Sequence, residues 1–161
     1  AAVEPSGGGG GTSSPTQELV AQAQAQVPSS GIVPYTFGHD NLAASQTGLQ
    51  LYRALPGAAV VLAQVGVQPM FAGSVVGLAL RGNALKTAGV ATFIVYVAGV
   101  ASQVAQLVWP SGANRAKAQF APGAIAYTDG DELDVRVTTS GTFAPTTVDV
   151  EVLLYVAHLI S

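Results

Sequence analysis

The residues that could do chemistry are few, and none of them forms a recognisable catalytic set. The chain has two histidines, His39 and His158, no cysteine, and no serine in a nucleophile motif of the Gly-x-Ser-x-Gly type. His39 precedes Asp40 in a glycine-containing loop, where such a dipeptide is more typical of a hydrogen-bonded turn than of a catalytic pair. The sequence therefore predicts no active site, and we expect that the protein is not an enzyme.

Residues 129–134 form the only dense cluster of charge and are the one candidate for a metal site. A calcium loop places acidic ligands at alternate positions followed by glycine, but Leu133 stands where a third ligand is needed. We interpret Asp129-Gly-Asp131 as turn chemistry. The sequence accordingly predicts no metal and no other cofactor, with a structural calcium ion at this turn as the alternative.

Two further patterns that could act on a substrate are incomplete. Asp149 and Glu151 would lie on one strand, but they have no aromatic platform nearby that could hold a sugar for glycoside hydrolysis. The glycine run at residues 7–11 could cradle a phosphate, but no Lys-Ser or Lys-Thr pair closes it. A flexible linker is the interpretation that fits this run.

Charge is scarce throughout the chain, and this scarcity is more informative than any motif. Six basic and nine acidic residues make 9% of the chain charged, whereas about a quarter is usual in a globular domain. Residues 54–80 and 87–114 contain no charge at all. Such a surface is expected to lie in a membrane or against other protein subunits. The net charge of −3 and the scattered Lys and Arg residues argue against a nucleic-acid partner.

A membrane-spanning helix is the less favoured explanation for the uncharged stretches. Both exceed the roughly 20 residues that cross a bilayer, yet both contain prolines, glycines and glutamines. Their patterning has the period of two that is typical of strands. In one segment Gln103, Ala105, Leu107 and Trp109 share one face, and Val104, Gln106 and Val108 share the other. We therefore expect no membrane partner, and expect that other protein subunits cover the apolar surface.

The composition divides the chain into an N-terminal arm, residues 1–30, and a β domain, residues 31–161. The arm is rich in Gly, Ser, Ala and Gln, a composition that stays flexible because it buries little. Ser14 as N-cap and Pro15 at the first helical position predict a short helix over residues 15–27. The apolar stripe of this helix is the predicted contact with a neighbouring protein, and it consists of Leu19, Ala23 and Val27.

The β domain is predicted to be a sandwich or jelly roll of about eight strands, because short apolar stretches alternate with Gly, Pro, Asn and Asp turns. On one strand Asp134 and Arg136 are expected to face outward, and Leu133, Val135 and Val137 to face inward. The predicted strands cover residues 49–53, 58–67, 74–81, 91–97, 102–109, 115–120, 133–138 and 147–158.

The last predicted strand indicates a subunit interface. Its outward face changes from the acidic pair Asp149 and Glu151 to the apolar residues Leu153, Tyr155 and Leu159. A strand that is polar on one half of its outer face and apolar on the other predicts a contact that begins near Leu153. The inward face is expected to consist of Val148, Val150, Val152, Leu154 and Val156.

Turn-and-strand signatures occur in several places between residues 70 and 152. They are Met70-Phe-Ala-Gly-Ser followed by a strand that carries Arg81, Thr87-Ala-Gly-Val-Ala-Thr, Phe120-Ala-Pro-Gly-Ala, Asp129-Gly-Asp-Glu-Leu-Asp-Val-Arg, and Phe143-Ala-Pro-Thr-Thr-Val-Asp-Val-Glu-Val. These signatures resemble a module of tailed-phage virion proteins, the family of capsid decoration (cement) proteins and of head-fibre or tail-fibre tips. The resemblance covers about residues 71–155, a little over half of the chain.

The resemblance implies a jelly-roll body that assembles as a homotrimer, with a dimer as the alternative. It implies a capsid decoration protein, assembled in the host cytoplasm, that binds the major capsid protein on the outer surface of a phage head and stabilises the shell. Thirty extended arm residues could span up to roughly 100 Å, enough to reach an adjacent subunit. The alternative function is a head-fibre or tail-fibre tip that recognises a host surface glycan, although five Tyr, five Phe and one Trp offer few aromatic side chains for such a pocket.

Overall fold

Alternating apolar residues form ten strands within residues 31–53 and 66–158, the part of the chain that this computed structural model describes. The predicted arm, its helix, and Leu19, Ala23, Val27 and Leu159 lie outside these residues, as does most of the predicted strand 58–67. The strands are β1 (Ile32–His39), β2 (Leu49–Gln50), β3 (Tyr52–Arg53), β4 (Gly73–Gly82), β5 (Ala91–Val97), β6 (Val100–Val108), β7 (Arg115–Gln119), β8 (Ala126–Tyr127), β9 (Leu133–Thr139) and β10 (Val150–His158).

The strands form two antiparallel sheets that pack face to face. The larger sheet has the order β3-β1-β10-β4-β7, with β8 also paired to β4, and the smaller sheet has the order β2-β9-β5-β6. Without the short strands β3 and β8, four strands remain in each sheet, and their connections cross between the sheets as in a jelly roll. The predicted all-β jelly-roll sandwich is confirmed.

The core lies between the two sheets and is built from the inward residues of each strand. The inward residues predicted for β9 and β10 are all buried there, which confirms their alternation. Each fully buried Val, Leu or Phe side chain contributes about 1.5–3 kcal/mol relative to an exposed one. Phe37 from β1, Phe93 from β5 and Trp109 after β6 are the largest fully buried aromatic side chains.

Two strands were not predicted from the sequence. Strand β1 contains Pro34, which has no amide hydrogen, yet pairs along its full length with β10. Within the described residues, the pairing of β1 with β3 covers Phe37 and Gly38 and does not reach Pro34, so no described strand requires the amide hydrogen that proline lacks on that side. Strand β8 has two residues, too few to give a periodic pattern.

Two predicted strands have different boundaries in the structure. The predicted strand 49–53 is two strands in different sheets, because the chain crosses from β9 to β1 at the buried residue Leu51. The last strand begins at Val150 and not at position 147. Asp149, just before it, accepts hydrogen bonds from the amide of Asn41 (2.9 Å) and the side chain of Asn83 (3.1 Å), which ties two loops together.

The sandwich has two ends with different chemistry. We call the end where β1 begins and β10 ends the terminal end, and the opposite one the far end. At the far end the indole of Trp109 donates to the carbonyl of Ala113 (2.8 Å) and packs over Gly82. A Cβ at Gly82 would lie 2.8 Å from the indole ring, so glycine is needed at this close approach. Trp109 is fully buried at this position.

Candidate functional site

The outer face of the larger sheet holds the two predicted interface residues that the structure describes. In the register of β10 with its neighbours, Leu153 lies between Thr36 and Ala79, and Tyr155 lies between Pro34 and Gly77. Both side chains are half-buried.

Small residues on β4 make a depression beside Tyr155. Gly77 and Ala79 form its floor, and the adjacent strands β10 and β7 carry longer side chains that rise on either side. The depression has a volume of about 290 Å³. It is lined chiefly by Ile32, Val76, Gly77, Ala79, Lys117 and Tyr155.

Three exposed cations lie close together on the same face of the sheet. Arg81 of β4 lies directly opposite Arg115 of β7, and Lys117 lies opposite Ala79. Arg81 makes an exposed ion pair with Glu151 on its other side, at 3.5 Å. A second depression, of about 270 Å³, lies between these residues and Leu153. The interface predicted from the sequence is apolar, and in the structure exposed basic side chains lie beside its residue Leu153.

Met70, Phe71 and the acidic turn at residues 129–132 lie at the terminal end, and we call this region the tip. Met70 and Phe71 are 80% and 46% exposed. The ring of Phe71 packs edge-on against His158 at 6.2 Å, and His158 Nδ1 lies 3.2 Å from the hydroxyl of Tyr127. Burial raises the pKa of Tyr127 to about 12, so the phenol stays protonated and can donate to the imidazole.

The acidic cluster is divided among separate partners. The Asp131 carboxylate accepts from the amide (2.8 Å) and the hydroxyl (3.0 Å) of Thr128 and so caps the turn. Glu132 accepts from the amide of Gly66 (3.1 Å), and Asp134 pairs with Arg136. Among the residues that the structure describes, no three His, Cys, Asp or Glu side chains are grouped so that they could hold a metal ion.

Asp134 departs from the sequence expectation because it is buried. It lies on the outer face of the smaller sheet, as the alternation predicts, but is only 2% exposed. Its carboxylate accepts from Nε of Arg136 at 2.9 Å, and the Arg136 guanidinium lies 4.1 Å from the ring centre of Tyr96. Burial raises the pKa of Asp134 above its ordinary value, and the pairing with Arg136 opposes this increase.

The smaller sheet exposes apolar side chains at its edge. Strand β6 pairs only with β5 in the part of the chain described here. Val100, Val104 and Val108 of this strand are each more than half exposed. Gln103, predicted to share one strand face with the buried residue Ala105, is exposed, because the register between β5 and β6 shifts in this part of the strand.

The possible catalytic residues do not come together. His39 and His158 lie at opposite ends of the larger sheet, at the end of β1 and the end of β10. His39 stacks on Tyr52 with 5.2 Å between ring centres, and its Nδ1 has no hydrogen-bond partner within the described residues. Asp149 ties loops together, and Glu151 is paired with Arg81.

Lys86 is a buried basic residue that no pattern in the sequence identified. It is 2% exposed, and its ammonium group donates to the carbonyl of Gly89 and to the hydroxyl of Ser111 (2.7 Å). Its backbone also bonds to Ala113 and Gly112. Lys86 therefore joins the β4–β5 loop to the β6–β7 loop at the far end.

Comparison with known proteins assigns no family to the chain. No protein-family model matches it, and no curated protein is similar to it in sequence. Across the described ranges, no helix has both the length and the apolar character that crossing a bilayer requires.

Proposed function

We propose that the protein is a non-enzymatic virion structural protein, a capsid decoration protein that binds the outside of a phage head shell. It assembles as a homotrimer, contacts the major capsid protein and stabilises the shell through its subunit contacts and its N-terminal arm. The single observation that carries this proposal is the set of large apolar side chains exposed on a chain with 9% charged residues.

Several separate apolar surfaces support a role in assembly. One is the face with Leu153 and Tyr155, a second is the tip with Met70 and Phe71, and a third is the edge strand β6. Contiguous apolar surface of this kind marks protein contacts, and burying it stabilises an assembly by about 25 cal/mol per Å² before the costs of association. A protein held between copies of itself and a shell needs more than one such surface.

Binding to empty shells tests the proposal. Purified protein is mixed with shells assembled from the major capsid protein, and the bound fraction is measured after the shells are sedimented. We expect the full chain to bind and to raise the temperature at which the shells break. Failure of the full chain to bind would contradict the proposed function.

A deletion tests the arm in the same assay. A chain without residues 1–28 is expected to keep its oligomeric state and melting temperature, because this composition buries little of its own surface. It should bind shells more weakly and protect them less against heat. Binding as tight as that of the full chain would show that the arm is a passive tether, and unfolding of the shortened chain would show that the arm belongs to the core.

A further inference from the structure

We infer that the protein associates with itself head to tail, with the tip of one copy seated in the basic-bordered depression of the next. The tip consists of Met70, Phe71 and the acidic turn at residues 129–132. The receiving surface consists of Leu153, Tyr155 and Ala79, bordered by Arg81, Arg115 and Lys117. This inference rests on the proposed function, because it assigns a specific interface to the proposed homotrimer.

The arrangement of the three cations on the receiving surface lowers the stability of the isolated fold, because like charges repel. Like charges directly opposite each other on neighbouring strands are destabilising, and Arg81 and Arg115 occupy such a pair of positions. Glu151 offsets one of them. The salt bridges within the described residues are Arg81–Glu151 and Arg136–Asp134, so neither Arg115 nor Lys117 has an ionic partner there. An acidic group from outside would relieve this repulsion.

The cluster is also unusual for a chain with so few cations. Of its six Lys and Arg residues, Lys86 is buried, Arg136 is paired with Asp134, and Arg53 lies over the rings of Tyr35 and Phe37. The other three are exposed and lie together on the outer face of β4 and β7. Exposed positive charge is therefore concentrated in one place on the described surface.

The tip offers the complementary chemistry. Asp129 and Glu132 are exposed on the turn, and Asp131 is half-buried. The turn follows directly on Tyr127, which bonds to His158, and His158 packs against Phe71. The acidic turn and the apolar side chains of the tip thus lie at the same end of the sandwich, and the receiving surface likewise combines basic and apolar side chains.

The acidic turn and the cations of one copy are too far apart to pair with each other. The tip lies near Gly73, which pairs with Tyr127 and His158. Arg81, one of the three cations, lies at the other end of the same strand. Eight residues of strand separate these positions by roughly 26 Å. The complementary surface must therefore come from another molecule, and a second copy of this chain offers both kinds of complementarity. A contact between two different surfaces is heterologous and closes into a ring when the rotation allows.

A charge exchange in the full chain tests this contact in the absence of shells. Arg115→Glu and Asp129→Arg should each weaken self-association about tenfold or more, measured by sedimentation over a range of concentrations. The double variant Arg115→Glu/Asp129→Arg should recover most of the loss, because every tip then meets a complementary charge again. Association of the unchanged chain should also weaken as salt is raised.

Controls place charge of either sign elsewhere. Thr47→Glu and Thr47→Arg change an exposed position in the loop that leads into β2 of the smaller sheet, and they should leave self-association unchanged. The melting temperature of each variant shows that it is folded. A trimer that neither single variant weakens, or a double variant that recovers nothing, would overturn the inference.

The outcomes also separate this inference from the proposed function. A trimer that is insensitive to Arg115→Glu but still binds shells overturns the head-to-tail contact and leaves the decoration function in place. A chain that stays monomeric alone, and whose shell binding is weakened by Arg115→Glu, overturns the inference in favour of the capsid protein as the occupant. A chain that trimerises through the charge exchange but does not bind shells contradicts the function and supports the contact.

Discussion

Asp134 shows how one residue can satisfy the strand pattern and still oppose stability. The carboxylate lies on the outer face of the smaller sheet, yet it is removed from water and relies on Arg136. Burial disfavours its charged form, and the ion pair does not fully offset this effect, because the pKa remains raised.

Asp134→Asn is expected to change how stability depends on pH. Because the pKa in the folded protein lies above the ordinary value, the folded protein holds the proton more tightly than the unfolded chain does. Stability is therefore lost as pH rises from the ordinary pKa of aspartate toward the raised one, and Asp134→Asn lacks this loss. The melting temperature of the variant should increase relative to the unchanged protein as the pH is raised from about 3 to 7.

The exposed residue Asp40 provides the matched control for this measurement. Asp40→Asn removes the same charge from the surface and should follow the unchanged protein closely across the same range. If the melting temperatures of Asp134→Asn and the unchanged protein run parallel with pH, the raised pKa does not describe Asp134 in solution.

At the scale of elements, the far end depends on polar contacts between loops. Lys86 bonds to Gly89 in its own loop and to Ser111 in the next one, and both loops are also joined through its backbone. These contacts hold the loop that leads into β5 against the turn that leads into β7.

Lys86→Ala should be among the more destabilising changes of a charged residue in this chain. It removes a buried side chain and leaves the Gly89 carbonyl and the Ser111 hydroxyl without their donor. We expect a loss of about 2–4 kcal/mol in the free energy of unfolding, measured with denaturant. Lys117→Ala, which removes the same side chain from an exposed position, should cost about 0.5 kcal/mol or less. Equal effects of the two substitutions would show that Lys86 is not held as the structure places it.

The elements also show what alternation in the sequence can and cannot predict. Strands β9 and β10 were predicted because their inward residues alternate without interruption, and the core confirms each of them. Strand β1 was missed because a proline and a glycine interrupt its pattern, and only pairing with β10 makes it a strand. Alternation assigns a side chain to a face, but it does not show what covers that face. The burial of Asp134 was therefore not predicted.

The candidate interface was predicted only in part for a similar reason. Leu153 and Tyr155 follow one another on a single strand, so the sequence alone could indicate them. Arg81, Arg115 and Lys117 come from two strands, and they become neighbours only through the register of β4 with β7. The burial of Lys86 likewise depends on two loops that meet after folding.

For the whole molecule, the scarcity of charge and the jelly-roll fold point to a role in assembly. Most of the described charged residues have structural partners: Arg136 with Asp134, Arg81 with Glu151, Asp131 with its own turn, and Lys86 with two loops. Large apolar side chains are left exposed on both sheets and at the terminal end. A molecule of this kind is expected to function where other proteins cover much of its surface.

Electron cryomicroscopy of the assembled virion would show where this protein lies on the particle. We expect density for jelly-roll trimers on the outer surface of the head, in contact with the major capsid protein, with the tip of each copy against the cations of the next. Density for this protein at the end of a head fibre or tail fibre, or its absence from the particle, would show that it is not a decoration protein of the head.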